Sequence, residues 1–167
     1  SDKFVATRSM KRVSKANAGL TVNEREPIAT EEQYALFRLY QQSRHASGDM
    51  ARMDFVDYRA LIEETPVEST VLEFRDFEGC LVGACLIDRV ANGLSAVYSF
   101  FDPDLSSQSL GTYIILWLIE HAKKQELPYV YLGFWVDECD KMSYKAKFQP
   151  LEHYSPSGWK LLSESPE

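Results

Sequence analysis

A strand, a turn and a helix follow one another in the second half of the chain. Residues 96–101 form an apolar, strand-like run, and an Asp-Pro turn at Asp102 ends it. A turn containing Ser109 and Gly111 comes next, and residues 113–124 then repeat apolar side chains at helical spacing. A helix that begins after such a turn presents free backbone N–H groups and the positive end of its dipole. The stretch therefore predicts either a site for an anion such as phosphate or an ordinary helix cap.

The order of the predicted elements indicates the class of fold. The order is β, α, α, β, β, β, α, β, α, β, so an antiparallel meander leads into a crossover helix and a parallel strand. This order is typical of the GNAT acyltransferase fold, an α/β (α+β) architecture with a mixed central sheet flanked by helices. The predicted strands are residues 18–24, 70–75, 80–90, 94–101, 129–136 and 151–154, and the predicted helices are residues 30–45, 54–65, 109–125 and 141–147.

Two of these helices begin with recognisable capping residues. Thr30 is followed three residues later by Gln33, which is the pattern of a capping box, and this helix is expected to end near Arg44 and His45. Asp54 is expected to cap the next helix, because apolar side chains follow it at helical spacing.

The composition is that of one folded domain. The chain has 167 residues, of which 45% are hydrophobic and 13% aromatic, and this is enough for a packed core. No apolar run is long enough to cross a membrane and no secretory signal is visible, so no membrane partner is expected. The three cysteines, Cys80, Cys85 and Cys139, form no CxxC pair, which favours a cytoplasmic protein with reduced thiols.

Charge is distributed unevenly along the chain. The net charge is −7, but residues 1–18 carry five basic side chains and one acidic one. The rest of the chain is therefore strongly acidic and is not expected to bind DNA, whereas the basic segment has the charge to bind nucleic acid locally. We expect residues 1–18 to form a basic arm, residues 19–162 to form the GNAT-like domain, and residues 163–167 to be a frayed tail.

Four blocks of the sequence resemble the aminoacyl-tRNA–protein transferases of the N-end rule. The first, residues 39–50, contains Arg44-His45 and Gly48-Asp49-Met50, and the second joins residues 98–104 to residues 109–112. Residues 127–135 and 141–150 are similar to the C-terminal part of the same family. The resemblance covers nearly the whole chain and is closer to the bacterial leucyl-transferring branch than to the arginyltransferases. It implies transfer of a leucyl or arginyl group from charged tRNA to the α-amine of proteins with N-terminal Asp or Glu, which marks them for degradation.

One departure from the family concerns a further N-terminal region with paired cysteines, which the sequence lacks. Residues 8–13 resemble the junction just after that region, so residues 1–18 are interpreted as a remnant of the junction and the chain as the C-terminal transferase domain. Metal or cluster chemistry of the cysteine region does not carry over, and the histidines and cysteines show no metal-ligand spacing. No cofactor is expected, because aminoacyl-tRNA acts as a co-substrate.

The implied reaction needs a positioned amine, removal of its proton and a donor for the developing oxyanion. Arg44 is the first candidate for binding the acceptor's acidic side chain, because a guanidinium can bind a carboxylate through two parallel hydrogen bonds. Lys141, Lys145 and Lys147 are alternatives for this role. His45 is a candidate base because its pKa lies near neutrality, and Tyr144 is a candidate oxyanion donor. The candidate catalytic residues are Arg44, His45, Tyr144 and Lys145.

The donor tRNA needs contacts for its phosphates and for its terminal base. The candidates for tRNA binding are Arg8, Lys11, Arg12, Ser109, Gly111 and Tyr113. The three basic residues suit the acceptor arm, and the glycine lets a terminal phosphate approach the backbone closely. The tyrosine offers a ring on which the terminal adenosine can stack. The sequence leaves the donor open between leucyl and arginyl.

Two other functions stay open from the sequence. A coenzyme A-dependent N-acetyltransferase uses the same fold and the same turn, although residues 108–113 contain one glycine and a bulky Tyr113 where a small residue is expected. A non-catalytic module that recognises acidic protein N-termini is the other alternative. In both cases Arg44 and His45 also fit the plain role of ending a helix and complementing its dipole.

Overall fold

The structure is a computed structural model and describes residues 1–46, 48–134 and 144–162. The helices are α1 (Arg8–Ala16), α2 (Glu31–Arg44), α3 (Phe55–Glu63) and α4 (Leu110–Lys124). The strands are β1 (Thr21–Arg25), β2 (Ser69–Arg75), β3 (Leu81–Val90), β4 (Gly93–Phe101), β5 (Tyr129–Tyr131), β6 (Glu152–Ser155) and β7 (Gly158–Leu161). Short 3-10 helices span Asp49–Arg52, Pro103–Gln108 and Tyr144–Lys147. None of the described helices is both long and apolar enough to cross a membrane.

Strands β1 to β5 form one sheet in the order in which they occur in the chain. The first four strands are antiparallel to their neighbours, and β5 returns parallel to β4 after the crossover through α4. This arrangement is the predicted meander followed by a crossover, and it confirms the mixed α/β class. The predicted order failed at the two ends of the chain. Helix α1 was not predicted, and β6 pairs with an unpredicted strand, β7, in a separate two-stranded sheet.

The central strands are buried on both faces because consecutive side chains point in opposite directions. On one face Phe74 of β2 packs with Leu118 of α4, and on the other Val71 packs with Phe37 of α2 and Tyr58 of α3. Each of these side chains is at most 1% exposed. The sheet is therefore held between α4 on one side and the α2–α3 pair on the other.

Both predicted helix caps are confirmed. The Thr30 hydroxyl accepts a hydrogen bond from the Gln33 N–H, and the Gln33 side chain accepts one from the Thr30 N–H, each at 3.2 Å. Asp54 caps α3 by accepting from the N–H groups of the second and third residues that follow it. Helix α2 ends at Arg44 and is followed by His45, as the sequence indicated.

Residues 1–18, the predicted basic arm, include helix α1 and pack against the rest of the chain. Thr7 caps α1, and the Met10 side chain, 3% exposed, packs with Ile119 of α4. At the end of α1 the Asn17 side-chain amide donates to the carbonyl of Gln108 at 2.8 Å. The charge pattern alone did not reveal that this basic segment has an apolar face, which α4 covers.

The C-terminal part of the chain also differs from the prediction. Of the strand expected over residues 129–136, the structure describes Tyr129–Tyr131 as β5. Tyr129 is 43% exposed, so β5 is an edge strand and not a buried one. The helix expected over residues 141–147 begins, within the described residues, at Tyr144 and is 3-10. Residues 135–143 and the tail predicted over residues 163–167 lie outside the described residues.

Candidate functional site

The candidate site lies where β4 and β5 diverge. The two parallel strands pair at three positions, the last of which joins Ser95 to Tyr131. Strand β4 then continues to Phe101, and this part of it has no paired neighbour on the β5 side among the described residues. Side chains from residues 95 to 99 are accordingly half-buried or exposed. Within the described residues, β4 beyond Ser95 therefore has an unpaired edge on the β5 side, and this unpaired edge is called the gap.

Phe101, the last residue of β4, connects the two helix ends that border this gap. Its ring centroid lies 4.9 Å from that of Tyr40 and 5.4 Å from the guanidinium carbon of Arg44, both on α2. A Cβ added to Gly111 of α4 would stand 3.0 Å from Phe101 Cε1. The structure therefore brings Arg44 and Gly111, which the sequence analysis proposed separately, next to one ring.

Arg44 is an exposed cation at the C-terminal end of α2. Its guanidinium lies over the Phe101 ring, and it has no acidic partner among the described residues. Arg75 contrasts with it, since its guanidinium binds the carboxylates of both Glu32 and Glu73. A guanidinium that is fixed by an aromatic ring and not neutralised is suited to bind an incoming carboxylate.

Three tyrosine hydroxyls belong to the same region. Burial raises the pKa of Tyr40, while the neighbouring Arg44 acts in the opposite direction. Burial also raises the pKa of Tyr98 to about 12, against the effect of its hydrogen bond with Gln41. Tyr144 is 37% exposed, and its pKa is raised by burial and then by the neighbouring Tyr40. All three phenols are therefore protonated at neutral pH and are able to donate hydrogen bonds.

His45 adjoins this group through Tyr40. The centroids of the two rings are 5.6 Å apart, and the His45 N–H donates to the Gln41 carbonyl at 2.8 Å to end α2. Arg44, His45 and Tyr144, three of the four candidate catalytic residues, are thus neighbours of Tyr40. Their roles stay predictions, but the structure makes a shared site geometrically possible.

The candidate lysines are less informative. Lys145 Nζ donates to the carbonyl oxygen of Phe134 at 2.7 Å, so it joins the 3-10 helix to the segment that follows β5. Lys141 lies outside the described residues. The alternative in which a lysine binds the acceptor carboxylate therefore gains no support from the geometry.

The N-terminal end of α4 is open, as the sequence predicted. The first hydrogen bond of the helix runs from the Tyr113 N–H to the Ser109 carbonyl at 3.0 Å, and the Ser109 side chain does not cap the helix. The three preceding N–H groups, including that of Gly111, have no partner among the described residues, and such groups can bind an anion. The Phe101 ring supplies a structural reason for the glycine, in addition to the predicted approach of a phosphate.

Tyr113 does not fit the role that was expected of it. The side chain is 9% exposed, and its ring meets the Phe74 ring edge-on at 6.0 Å in the core between α4 and the sheet. Burial raises the pKa of its hydroxyl. The expectation that a base stacks on this ring is wrong, because Tyr113 lies on the face of α4 that packs on the sheet.

Helix α1 carries an exposed basic surface. The side chains of Arg8, Lys11, Arg12 and Lys15 are exposed, and none has an ion-pair partner among the described residues. Asn17 attaches the end of α1 to the residues before α4. The exposed cations of α1 and the free N–H groups at the N-terminal end of α4 are electropositive features of two helices in contact, and they are called the electropositive surface of α1 and α4.

Sequence reasoning missed Gln41 and Tyr98. Gln41 lies eight residues after Gln33 and four after Phe37, so all three occupy the buried stripe of α2. A polar residue repeated within an apolar stripe was a signal that could have been used, since buried polar groups require partners. Tyr98 was counted as part of an apolar strand, although its hydroxyl distinguishes it from the neighbouring Phe100.

One group in the described residues has potential metal ligands within 4.8 Å of one another. It consists of Asp76, Glu78 and Cys80 at the turn between β2 and β3. An Asp76 carboxylate oxygen already accepts hydrogen bonds from the N–H groups of Glu78 and Cys80. These bonds explain the cluster as part of the turn.

Comparison with known proteins connects this geometry to one family. Residues 32–155 match the family described as "Arginine-tRNA-protein transferase, C terminus". The aspartate/glutamate leucyltransferase of Paramagnetospirillum magneticum is 54% identical over 162 residues, which are 97% of the chain and 66% of the relative. That of Granulibacter bethesdensis is 49% identical over 97% of the chain and 61% of the relative. The chain thus spans less than two thirds of the length of these relatives.

Solved structures support the fold. L-PGS from Bacillus licheniformis aligns with a TM-score of 0.66 at 12% identity, over 90% of this chain and 54% of that one. A putative acyl-CoA N-acyltransferase from Klebsiella pneumoniae aligns with a TM-score of 0.54 at 17% identity, over 83% of this chain and 88% of that one. At these identities the similarity concerns the fold alone, and it confirms the predicted GNAT-like architecture.

Proposed function

Because the chain belongs to the family of arginine-tRNA-protein transferases, whose C-terminal part it matches, we propose that it transfers an aminoacyl group from charged tRNA to the α-amine of proteins with N-terminal Asp or Glu. Leucine is the proposed amino acid, since the similar proteins from two bacteria are named aspartate/glutamate leucyltransferases. The product would carry a new N-terminal residue and enter degradation by the N-end rule. This role belongs to the cytoplasm, where charged tRNA is available.

The observation that carries the proposal is the position of Arg44. Its exposed guanidinium lies over the Phe101 ring without an acidic partner in the described part of the chain, next to the gap between β4 and β5. An N-terminal Asp or Glu would provide the missing carboxylate and would bring its α-amine to the mouth of the gap. The requirement for an acidic acceptor thus follows from the charge of one side chain.

The donor side of the proposal rests on the electropositive surface of α1 and α4. The exposed cations Arg8, Lys11 and Arg12 suit the phosphates of the acceptor arm, and the free N–H groups before Tyr113 suit a terminal phosphate. The aminoacyl end of the tRNA would then lie beyond Phe101, in the same gap as the acceptor amine.

The chemistry asked of the protein is modest, because the aminoacyl ester is already activated. The neutral α-amine attacks the ester carbonyl, the amine loses a proton, and the tetrahedral intermediate collapses with release of the tRNA ribose oxygen. In the proposed mechanism His45 accepts the proton from the amine and passes it to the leaving ribose oxygen, to which Tyr144 donates a hydrogen bond. No covalent intermediate with the protein is needed.

The test is transfer from a mixed pool of charged tRNAs to a peptide that begins with Asp, with the product identified by its mass. We expect a leucyl adduct on the α-amine, and arginyl transfer would correct the donor only. A peptide beginning with Asn is the matched control, because it keeps the shape and removes the charge that Arg44 would bind. Absence of any adduct from any charged tRNA would overturn the proposal.

A second candidate function is coenzyme A-dependent N-acyltransfer. One observation favours it: the open N-terminus of α4 presents backbone N–H groups in the position that fits a pyrophosphate as well as a tRNA phosphate. Acetylation of the same Asp peptide by acetyl-coenzyme A, without tRNA, would establish this alternative. The exposed cations of α1, which have no ion-pair partner among the described residues, favour tRNA over coenzyme A because tRNA is the larger polyanion.

A further inference from the structure

Gln41 and Tyr98 form a hydrogen bond within the apolar packing between α2 and β4. The Gln41 side chain is 1% exposed, and its Nε2 donates to the Tyr98 hydroxyl at 2.5 Å. The Tyr98 ring is held by Phe37 and Phe100, whose centroids lie 6.1 Å and 6.4 Å away. Both the direction and the position of the hydroxyl are therefore fixed by packing.

The contact determines what the Tyr98 hydroxyl can do. With Gln41 Nε2 as the donor, the Tyr98 hydroxyl keeps its own proton for another partner, and no acceptor for that proton is present among the described residues. The Gln41 Oε1 atom also has no partner in the described part of the chain, so the carboxamide does not complete a hydrogen-bond network there. A buried glutamine with an unsatisfied oxygen destabilises the fold and calls for an explanation.

The location of Tyr98 indicates where its hydroxyl proton can be donated. It lies on β4 beyond Ser95, the last residue paired with β5, and its side chain is half-buried. It is also close enough to Tyr40 for the two phenols to affect each other's protonation, and Tyr40 contacts both Phe101 and His45. The Tyr98 hydroxyl proton is therefore available beside the gap where the ester and the amine would meet.

We propose that Tyr98 is a catalytic residue that donates a hydrogen bond to the ester carbonyl oxygen as it becomes an oxyanion, and that Gln41 is the residue that positions it. This inference rests on the proposed function. When the amine nitrogen bonds to the carbonyl carbon, the π electrons move to the oxygen, where the Tyr98 O–H stabilises them. The electrons return when the bond to the ribose oxygen breaks, and Tyr98 keeps its proton throughout.

The assignment explains why a hydroxyl and a carboxamide occupy positions that apolar residues would fill at lower cost. A preorganised donor does not have to reorient during the reaction, and Gln41 prevents the hydroxyl from rotating toward solvent. The high pKa of the phenol fits a donor that must not lose its proton at neutral pH, and it excludes Tyr98 as a general base.

The first variant is Tyr98→Phe, which removes one oxygen and keeps the ring between Phe37 and Phe100. In the transfer assay with charged tRNA and an Asp peptide, we expect the single-turnover rate constant to fall about 100-fold, with KM for both substrates unchanged. The matched control is Tyr34→Phe, which removes the hydroxyl that donates to the Met53 carbonyl on the same helix layer. It should leave the rate constant unchanged.

The second variant tests positioning. Gln41→Met is similar in size and removes the hydrogen bond to Tyr98, so we expect a smaller loss of about tenfold in the rate constant at constant KM. In the Tyr98→Phe background the same change should have no further effect on the rate, because the hydroxyl it positions is gone. A structural role for Gln41 would instead give equal losses in both backgrounds, accompanied by a lower thermal midpoint.

The outcomes separate this inference from the function on which it rests. Transfer by the unmodified chain together with a full rate constant in folded Tyr98→Phe overturns the role of Tyr98 alone. Additive losses from Gln41→Met overturn the positioning role. No aminoacyl transfer from any charged tRNA overturns the proposed function and the inference with it.

Discussion

The two ends of helix α2 use polar residues in opposite ways. At the N-terminal end Gln33 Nε2 donates to Glu73 Oε1 at 2.9 Å, and Glu73 Oε2 accepts from Arg75 at 3.0 Å. Arg75 also binds Glu32, and the capping box between Thr30 and Gln33 completes the network. Almost every polar group at this end has a partner within the chain.

At the C-terminal end Arg44 and Gln41 lack such partners among the described residues. Arg44 has an aromatic ring beneath it and no carboxylate beside it within the described residues. Gln41 is buried with one oxygen unsatisfied, and the hydroxyl that it holds has a proton to donate. The helix is continuous, so the difference comes from the elements it contacts: β1 and β2 at one end and the open edge of β4 at the other.

This difference teaches how to separate structural from functional polarity within one helix. A network that satisfies itself stabilises the fold, and a substrate cannot use it without breaking it. Groups that remain unsatisfied after folding reduce stability, and they are the ones that can bind a ligand. Substitutions at the N-terminal end should therefore change stability, and those at the C-terminal end should change transfer.

The largest effect should come from Glu73→Ala. The side chain is 4% exposed, and its loss leaves Gln33 and Arg75 without a partner, so we expect the free energy of unfolding to fall by about 3–5 kcal/mol. Urea denaturation measures it. Glu120→Ala, which removes an exposed ion pair with Lys123, is the control and should cost less than about 1 kcal/mol. Equal effects from the two variants would refute the structural role of the network.

Arg44→Ala should have a smaller effect, and on a different quantity. We expect kcat/KM for an Asp peptide to fall by a factor that corresponds to about 1.5–3 kcal/mol, because an ionic hydrogen bond to the acceptor is lost. Most of this loss should be an increase in KM. Stability should change by about 0.5–1 kcal/mol, the size of an exposed cation–π contact. Arg38→Ala is a matched control, since the Arg38 guanidinium lies over the Tyr34 ring on the same helix. Unchanged peptide kinetics in Arg44→Ala would remove this residue from the site.

The smallest effect concerns the cations of α1, which extend the comparison to a second set of unpaired charges. Removing Lys11 and Arg12 together should weaken charged-tRNA binding about tenfold and reduce the slope of log K against log salt by up to about two units. Titrations at several salt concentrations measure both values. Arg38 and Arg59, also exposed, are the control pair. If the slope is the same in both double variants, α1 does not contact the phosphates.

Much of the fold followed from local patterns. The predicted starts and lengths of three helices were close to those observed, because caps and apolar periodicity act within a few residues. The signals were the capping box at Thr30, the Asp54 cap and the run from Ser109 to Lys124. The strands from Ser69 to Phe101 were predicted for the same reason. The hairpin of β6 and β7 was missed, since short exposed strands such as Gly158–Leu161 carry little alternation.

The site was predicted only in part. Arg44, His45 and Tyr144 were selected from the family resemblance, and the structure brings them together, whereas Tyr113 was selected for an exposed ring that is in fact buried. A helical residue's exposure depends on which face the sheet covers. The sequence pattern around Tyr113 did not specify that face, because nearly every side of α4 is apolar.

The sequence by itself determined most helices and strands between Thr21 and Ser155, their order and the excess of charge in the first 18 residues, all of which are properties of neighbours along the chain. Only the tertiary structure decided that α1 packs on α4, that Phe101 lies next to both Gly111 and Arg44, and that Gln41 meets Tyr98. These contacts join residues about 10 to 110 positions apart. They arise because burying two apolar surfaces against each other fixes every polar group on their edges, and no local pattern specifies which surfaces meet.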